Sequence, residues 1–314
     1  MLNRRHIRIK VMQSVYAFKG SESDALNKDQ KFLMQSLDKA YNLYLLMLSL
    51  LVELQKKSED HLSKSMKKHL ATEEDKNPNR KFVNNEVLQF LLHNEALQDA
   101  LDTNKVKHWD LDDEYVDIIY KDILASELYA DYMKTKVSDF KEDKFFVIDI
   151  YREIIAPNDK LFDYLEDHNM TWVDDFPLVN TTILKMLRKL KPTANTQVVT
   201  PDLYKDEDDE MFAIDLFKKT ILNQTTFRKI VEDRTKNWDS DRIADIDYVL
   251  LIMAICEIIK FPSIPIKVTI NEYLEIAKEY STPKSSIFIN GILDKYVKEL
   301  QEKNELNKTG RGLM

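Results

Sequence analysis

Glycine is nearly missing from this 314-residue chain. There are four, and between residues 21 and 309 only Gly291 occurs. Tight hairpins and bulges need positions that tolerate positive φ, and asparagine can stand in at some of them but not at all. A mostly β chain is therefore disfavoured, and the composition points to an all-α fold. Cysteine is scarcer still. Cys256 stands alone, in an apolar run, so no disulfide framework or cysteine-based zinc site can be built. A small core residue is expected there. Long apolar runs are also lacking. The run Leu43 to Val52, broken only by Ser49, is too short to cross a bilayer. The chain opens on charge rather than on a basic end followed by an apolar stretch. A cytoplasmic protein with no membrane contact is expected. The six histidines (His6, His61, His69, His93, His108 and His168) form no supported metal-ligand spacing, and there is no glycine-rich phosphate loop. The expectation is a non-enzyme without catalytic residues, metal or cofactor.

What is present is charge, unevenly placed. The net charge is −8. Residues 1–20 hold Arg4, Arg5, Arg8, Lys10 and Lys19 and no acid, a local +5 that leaves −13 for the remainder. A basic segment on an acidic body makes a localised anion site, with the body repelling polyanions elsewhere. Charge alone is also compatible with a solubilising or frayed terminus.

Residues 4–19 read as a helix with Asn3 as N-cap. Ile7, Val11, Met12, Val15 and Phe18 form one apolar stripe, and Arg4, Arg5 and Arg8 fall largely off it. The helix is thus expected to dock by one face and show its arginines on another. Cations in a first turn oppose the helix dipole, which speaks against a purely stabilising role for them. Gly20 ends the helix, and Ser21 to Asn27 connect it to a long helix over 28–57, apolar almost all round at its centre. Residues 58–81 read as an exposed extension and loop. Helices are expected over 82–103 and 112–136. Residues 146–172 align with 212–238 at a constant offset of 66, including Phe146 with Phe212 and Trp172 with Trp238. Each copy reads as helix, short break and helix, whether or not a duplication produced it. Pro192, Pro201 and the acids Asp206 to Glu210 mark a boundary. Helices follow at about 209–223, 225–237, 241–260, 269–281 and 285–301, with Thr269 and Glu272 in the form of a capping box. The organisation read is 1–57, 58–205, 206–303, and a disordered tail over 304–314.

Three segments near the carboxy terminus carry a resemblance. They are Asp245 to Ile258, Ile264 to Lys278, and Phe288 to Lys295. Together they resemble the carboxy-terminal half of the NusB family. Arg4, Arg5, His6, Ile7 and Arg8, followed by Gln13 and Tyr16, resemble that family's arginine-rich first helix. The similarity covers residues 4–19 and roughly 209–300, so residues 58–205 look like an enlarged form's extra helical material. Cys256 stands where the family tends to have an aromatic residue. The resemblance implies two small helical bundles and an antitermination factor. Such a factor binds boxA-type RNA with the ribosomal protein NusE in the RNA polymerase antitermination complex, without catalysis.

The candidate RNA-binding residues are Arg4, Arg5 and Arg8, whose guanidiniums pair with phosphate and stack on unpaired bases. Lys10 adds a phosphate contact, and Gln13 and Tyr16 share the helix. Asn290 and Lys295 are placed to line an RNA groove, with Phe288 a stacking or a core residue. At Gly291 a close approach by another helix, or else by RNA, is expected. Asp247 matches the acid that contacts NusE in the family, and is equally a dipole match. Glu257 is expected to hydrogen-bond within the bundle. An Arg5→Ala/Arg8→Ala pair should weaken RNA binding and leave the fold intact. All of this requires guanidiniums not tied up by neighbouring carboxylates. The alternative is a helical interaction scaffold that has lost RNA binding. An RNA-modifying enzyme with a NusB-like front domain is disfavoured, because no glycine-rich α/β domain follows.

Overall fold

A computed structural model describes residues 1–20, 26–68, 72–235 and 243–313. Among them there is no strand, and the all-α expectation holds. No helix is long and apolar enough to cross a membrane among these residues. The α-helices are α1 (Arg4–Gly20), α2 (Leu26–Met66), α3 (Glu73–Lys76), α4 (Glu86–Leu92) and α5 (Glu95–Thr103). They continue with α6 (Asp113–Ala125), α7 (Glu127–Tyr132), α8 (Phe140–Ile150), α9 (Asp159–His168) and α10 (Phe176–Lys189). Then come α11 (Glu207–Leu222), α12 (Gln224–Arg234), α13 (Asp245–Lys260), α14 (Ile266–Tyr280) and α15 (Ser285–Glu302). The chain forms two units, one of Met1 with Asp38–Leu203 and one of Leu2–Leu37 with Tyr204–Met314.

In the first of these, the all-round apolar centre of α2 is the core. Leu43, Tyr44, Leu46, Leu50 and Leu54 are fully buried among Val87 and Leu91 of α4, Ile119 and Ile123 of α6, Val147 and Ile150 of α8, and Ile183 and Leu187 of α10. Several boundaries differ from expectation, each for a local reason. The long helix does not stop at 57 but runs to Met66. Its inward stripe there is polar: Gln55, Ser58 and Ser65 are buried, with Gln55 donating to Val83 O, and His61 meets Tyr120 Oη at 3.1 Å. The helix expected over 82–103 breaks before residue 95, because Asn85 and Asn94 each cap a new helix with their side-chain oxygens. The helix expected over 112–136 breaks at Ser126, whose Oγ accepts from Tyr129 N. Such side chains compete with the helical ladder and favour a fresh start.

The second unit holds α1, the start of α2 and α11 to α15. Here α1 packs on α11, α13 and α14, and α15 packs on α13 and α14. α13 is buried on all sides from Val249 to Ile258. Burial pushes the Cys256 thiol up to about 12, so it is an inert core group. Both segments of the repeat are helix–break–helix, but Trp238 lies outside the described residues, as do positions 21–25 of the first connection. The tail, read as disordered, carries hydrogen bonds from Lys308 Nζ to Phe261 O and from Thr309 N to Pro262 O, both 3.0 Å.

Candidate nucleic-acid interface

Asn3 caps α1, its Oδ1 accepting from His6 N at 2.9 Å. The helix that follows does not dock by one face. Every residue from His6 to Met12 is buried, and only the two ends of α1 are open.

Arg8 shows why. It is 2 % exposed and lies on Glu257, which is fully buried in α13. The pair is bidentate: Arg8 Nε donates to Glu257 Oε2 at 2.8 Å and Nη2 to Oε1 at 2.7 Å. Thr269 Oγ1 also donates to Glu257 Oε1 at 2.8 Å, and Tyr273 Oη to Oε2 at 3.3 Å. The guanidinium lies over the Phe212 ring at 5.1 Å. Burial pulls the Arg8 pKa down, but attraction and hydrogen bonding from Glu257 outweigh it and the net direction is up. A carboxylate in an apolar helix needs such a partner, since an isolated buried charge is very costly. Arg8 is therefore a structural cation, and its assignment to RNA is corrected. Lys10 is corrected on its burial: at 1 % exposed it is not open to a phosphate.

The expected helix start at Thr269 is also revised. α14 begins three residues earlier, after Pro265. Thr269 and Glu272 do not form a capping box. Thr269 serves Glu257, and Glu272 accepts a bidentate pair from Arg5, Nε and Nη2 both at 2.9 Å. The hydrogen bond from Arg5, helped by attraction to Arg5 and Arg8, holds the Glu272 carboxyl below its usual range. Arg4 Nε donates to Asp209 Oδ1 at 2.7 Å, with its guanidinium over Phe212 at 5.0 Å. Arg4 and Arg5 remain 40 % and 43 % exposed. All three arginines thus have carboxylate partners, which is the condition the charge argument required to be absent.

The other candidates divide. Tyr16 is 46 % exposed, Lys295 is exposed, and Gln13 and Phe288 are half-buried. Asn290 is half-buried, its amide donating to Asp294 Oδ2 at 3.0 Å. Asp247 is 5 % exposed and accepts from Ser281 Oγ at 2.6 Å and Ser285 Oγ at 2.7 Å. Its carboxylate ties the α14–α15 turn to the start of α13, so the reading of an open partner contact is corrected to an internal one. At Gly291 nothing lies within 4 Å of where a Cβ would stand, so the expected helix packing there is absent. Gly291→Ala should then raise stability by about 1 kcal/mol through helix propensity alone. A thermal melt checks this, and a lowered midpoint would mean that the position is crowded.

The comparisons with known proteins bear on this unit. The NusB family model matches residues 181–298. The transcription antitermination protein NusB of Salinibacter ruber is 43 % identical over 117 residues, which is 37 % of this chain and 73 % of that protein. The chain belongs to the NusB family. Its NusB relative in Chloroherpeton thalassium is 38 % identical over 117 residues, covering 56 % of that protein, and that of Desulfitobacterium hafniense is 35 % identical over 135 residues, covering 91 %. No solved structure gives a match. The NusB family match begins at 181, upstream of the 209 read from the sequence, and leaves α1 outside it.

Proposed function

We propose that this NusB-family chain is an RNA-binding antitermination factor. It engages boxA-type RNA with NusE in the RNA polymerase antitermination complex and promotes read-through in rRNA operons. It works in the cytoplasm by binding, without catalysis. Family membership is the observation that carries this reading. The geometry supports a narrower set of contacts than the charge pattern did. Arg4 and Arg5 are the usable guanidiniums of α1. The Arg5–Glu272 pair is part-exposed, and such pairs are worth about 0–1 kcal/mol, so a phosphate can replace Glu272 at small cost; Asp209 is buried, so Arg4 keeps it and offers a phosphate its remaining N–H groups. Tyr16 offers a ring for stacking, and Lys295 beside the bare backbone at Gly291 offers close approach by RNA. Arg4→Gln/Arg5→Gln should weaken binding of a labelled boxA-type RNA severalfold at about 0.1 M salt, with a flatter salt dependence. Fluorescence anisotropy reads this, and unchanged affinity would remove α1 from the interface.

One observation favours a second reading. Each of Arg4, Arg5 and Arg8 already has a carboxylate, as a helical interaction scaffold that had lost RNA binding would show. A wild-type chain that fails to bind RNA at moderate salt, with and without NusE, would select the scaffold. Deleting residues 1–10 would not separate the two, because it removes Arg8 and strands Glu257.

A further inference from the structure

The unit formed by Met1 and Asp38–Leu203 carries a second basic region, on α8 and α10. From Phe176 to Pro201 there is no acidic residue, and Lys185, Arg188, Lys189 and Lys191 give the segment +4. Lys185, Arg188 and Lys189 stand at i, i+3 and i+4, one face of α10, with Lys191 just beyond its end. All four are exposed. α8 packs on α10, and Lys144 of α8 donates to Leu190 O at 3.2 Å and Arg188 O at 3.4 Å. That contact brings the exposed Lys141 and the half-exposed Phe145, which lie three residues before and one after Lys144, to the same end of α10.

A match to the α10 dipole is the plain explanation for cations at a helix end. It falls short here on two counts. Lys144 already occupies the carbonyls at that end. And among the described residues, no carboxylate lies within ion-pair distance of Lys141, Lys185, Arg188, Lys189 or Lys191. Lys57, Lys68, Arg80, Lys107 and Arg152 of the same unit each have one. The acids of α8 are committed elsewhere: Glu142 to Lys81, Asp149 to Arg152, and Asp143 to the interior. The contrast with α1 is direct. There the arginines are paired; here the cations are open.

We propose that this α8–α10 surface is a second binding site for single-stranded RNA, holding phosphates with the α10 cations and Lys141 and a base on the Phe145 ring. The site rests on the RNA-binding reading above but not on α1. Uncompensated cations beside an exposed aromatic ring suit a flexible phosphate chain, whose bases stack without sequence preference. The test uses the full chain and a single-stranded RNA of about 30 nucleotides, long enough to reach beyond one site. The variant is Lys185→Gln/Arg188→Gln/Lys189→Gln/Lys191→Gln. Affinity should fall about tenfold or more near 0.1 M salt, and the slope of log K against log salt should flatten by about 2–3 for four lost phosphate contacts. Wild-type affinity and slope in this variant, with weakening only in Arg4→Gln/Arg5→Gln, would overturn the site and leave the RNA reading standing. Absence of RNA binding by the wild type would overturn both. Equal competition by poly-glutamate would assign the surface to an acidic protein and overturn it as an RNA site. Photo-crosslinking of wild-type chain to 4-thiouridine RNA is independent of how the variant folds. Adducts should map to 141–145 or 185–191, and adducts elsewhere only would also overturn the site.

Discussion

Arg8→Met should cost about 3–5 kcal/mol of stability, because it leaves Glu257 charged and unpaired where water cannot reach it. In a unit of this size the melting midpoint should fall by on the order of 10 °C. The companion change decides whether charge is the cause. Arg8→Met/Glu257→Gln removes both charges and keeps an amide whose oxygen can still accept from one of the Thr269 and Tyr273 hydroxyls while its NH2 donates to the other. Most of the loss should return, and the double variant should melt close to the wild type, since a buried ion pair is often no better than a neutral replacement. Chemical denaturation of both variants measures the coupling. A single variant as stable as wild type would mean that Glu257 finds another partner. It follows that Arg5→Ala/Arg8→Ala cannot report on RNA binding alone, contrary to the charge-based expectation.

Asp143→Ala should be nearly as damaging in the other unit, at about 3 kcal/mol. Asp143 is 1 % exposed. Its Oδ2 accepts from Glu86 N, the first residue of α4, at 2.7 Å, and its Oδ1 accepts from Tyr132 Oη at 2.5 Å. Asn85 completes the group. Its Oδ1 caps α4 at Val87 N and Leu88 N, and its Nδ2 donates to Tyr132 Oη and Asp143 O, both 3.2 Å. The buried ammonium of Lys81 joins them, donating to Tyr132 O and Thr135 Oγ1 at 2.8 Å and to Glu142 Oε1 at 2.6 Å. Truncating Asp143 therefore leaves the Glu86 N–H without its acceptor and the Tyr132 phenol with only a 3.4 Å contact to Lys81 O, and a group connected this way fails as a whole. Asp143→Asn should cost less, because one acceptor oxygen survives. Urea denaturation followed by far-UV circular dichroism compares them, and equal stability of Asp143→Ala and wild type would contradict the network's role.

The helices were legible where apolar spacing was strong. Leu43 to Leu54, α13 and α15 fall close to where the pattern placed them. Breaks at Asn94 and Ser126 were not, because a polar residue inside an apolar period reads as surface until its side chain is seen capping a backbone N–H. The run of α2 beyond 57 was hidden the other way, its inward stripe being built from Gln55, Ser58 and Ser65.

At α1 the misleading feature was the arginine itself. Arg8 shares the i, i+4, i+7 spacing of Met12 and Val15, so it lay on a buried stripe all along. Counting it as a surface charge separated it from Glu257, the one acid inside the apolar run of α13. A cation and an anion that each fall on a buried helical stripe are one signal read twice. Asp247 repeats the lesson: an acid near a helix start looked open to a partner and is used by Ser281 and Ser285. The α8–α10 cations do not stand out in a chain of net negative charge, and only the packing of two helices gathers them.

The division of labour at α1 is best tested by RNA affinity in two folded variants measured side by side against the wild type. The Arg8→Met/Glu257→Gln chain should bind boxA-type RNA as the wild type does, and the Arg4→Gln/Arg5→Gln chain severalfold more weakly. RNA binding lost in the first and kept in the second, with both melting normally, would contradict the account.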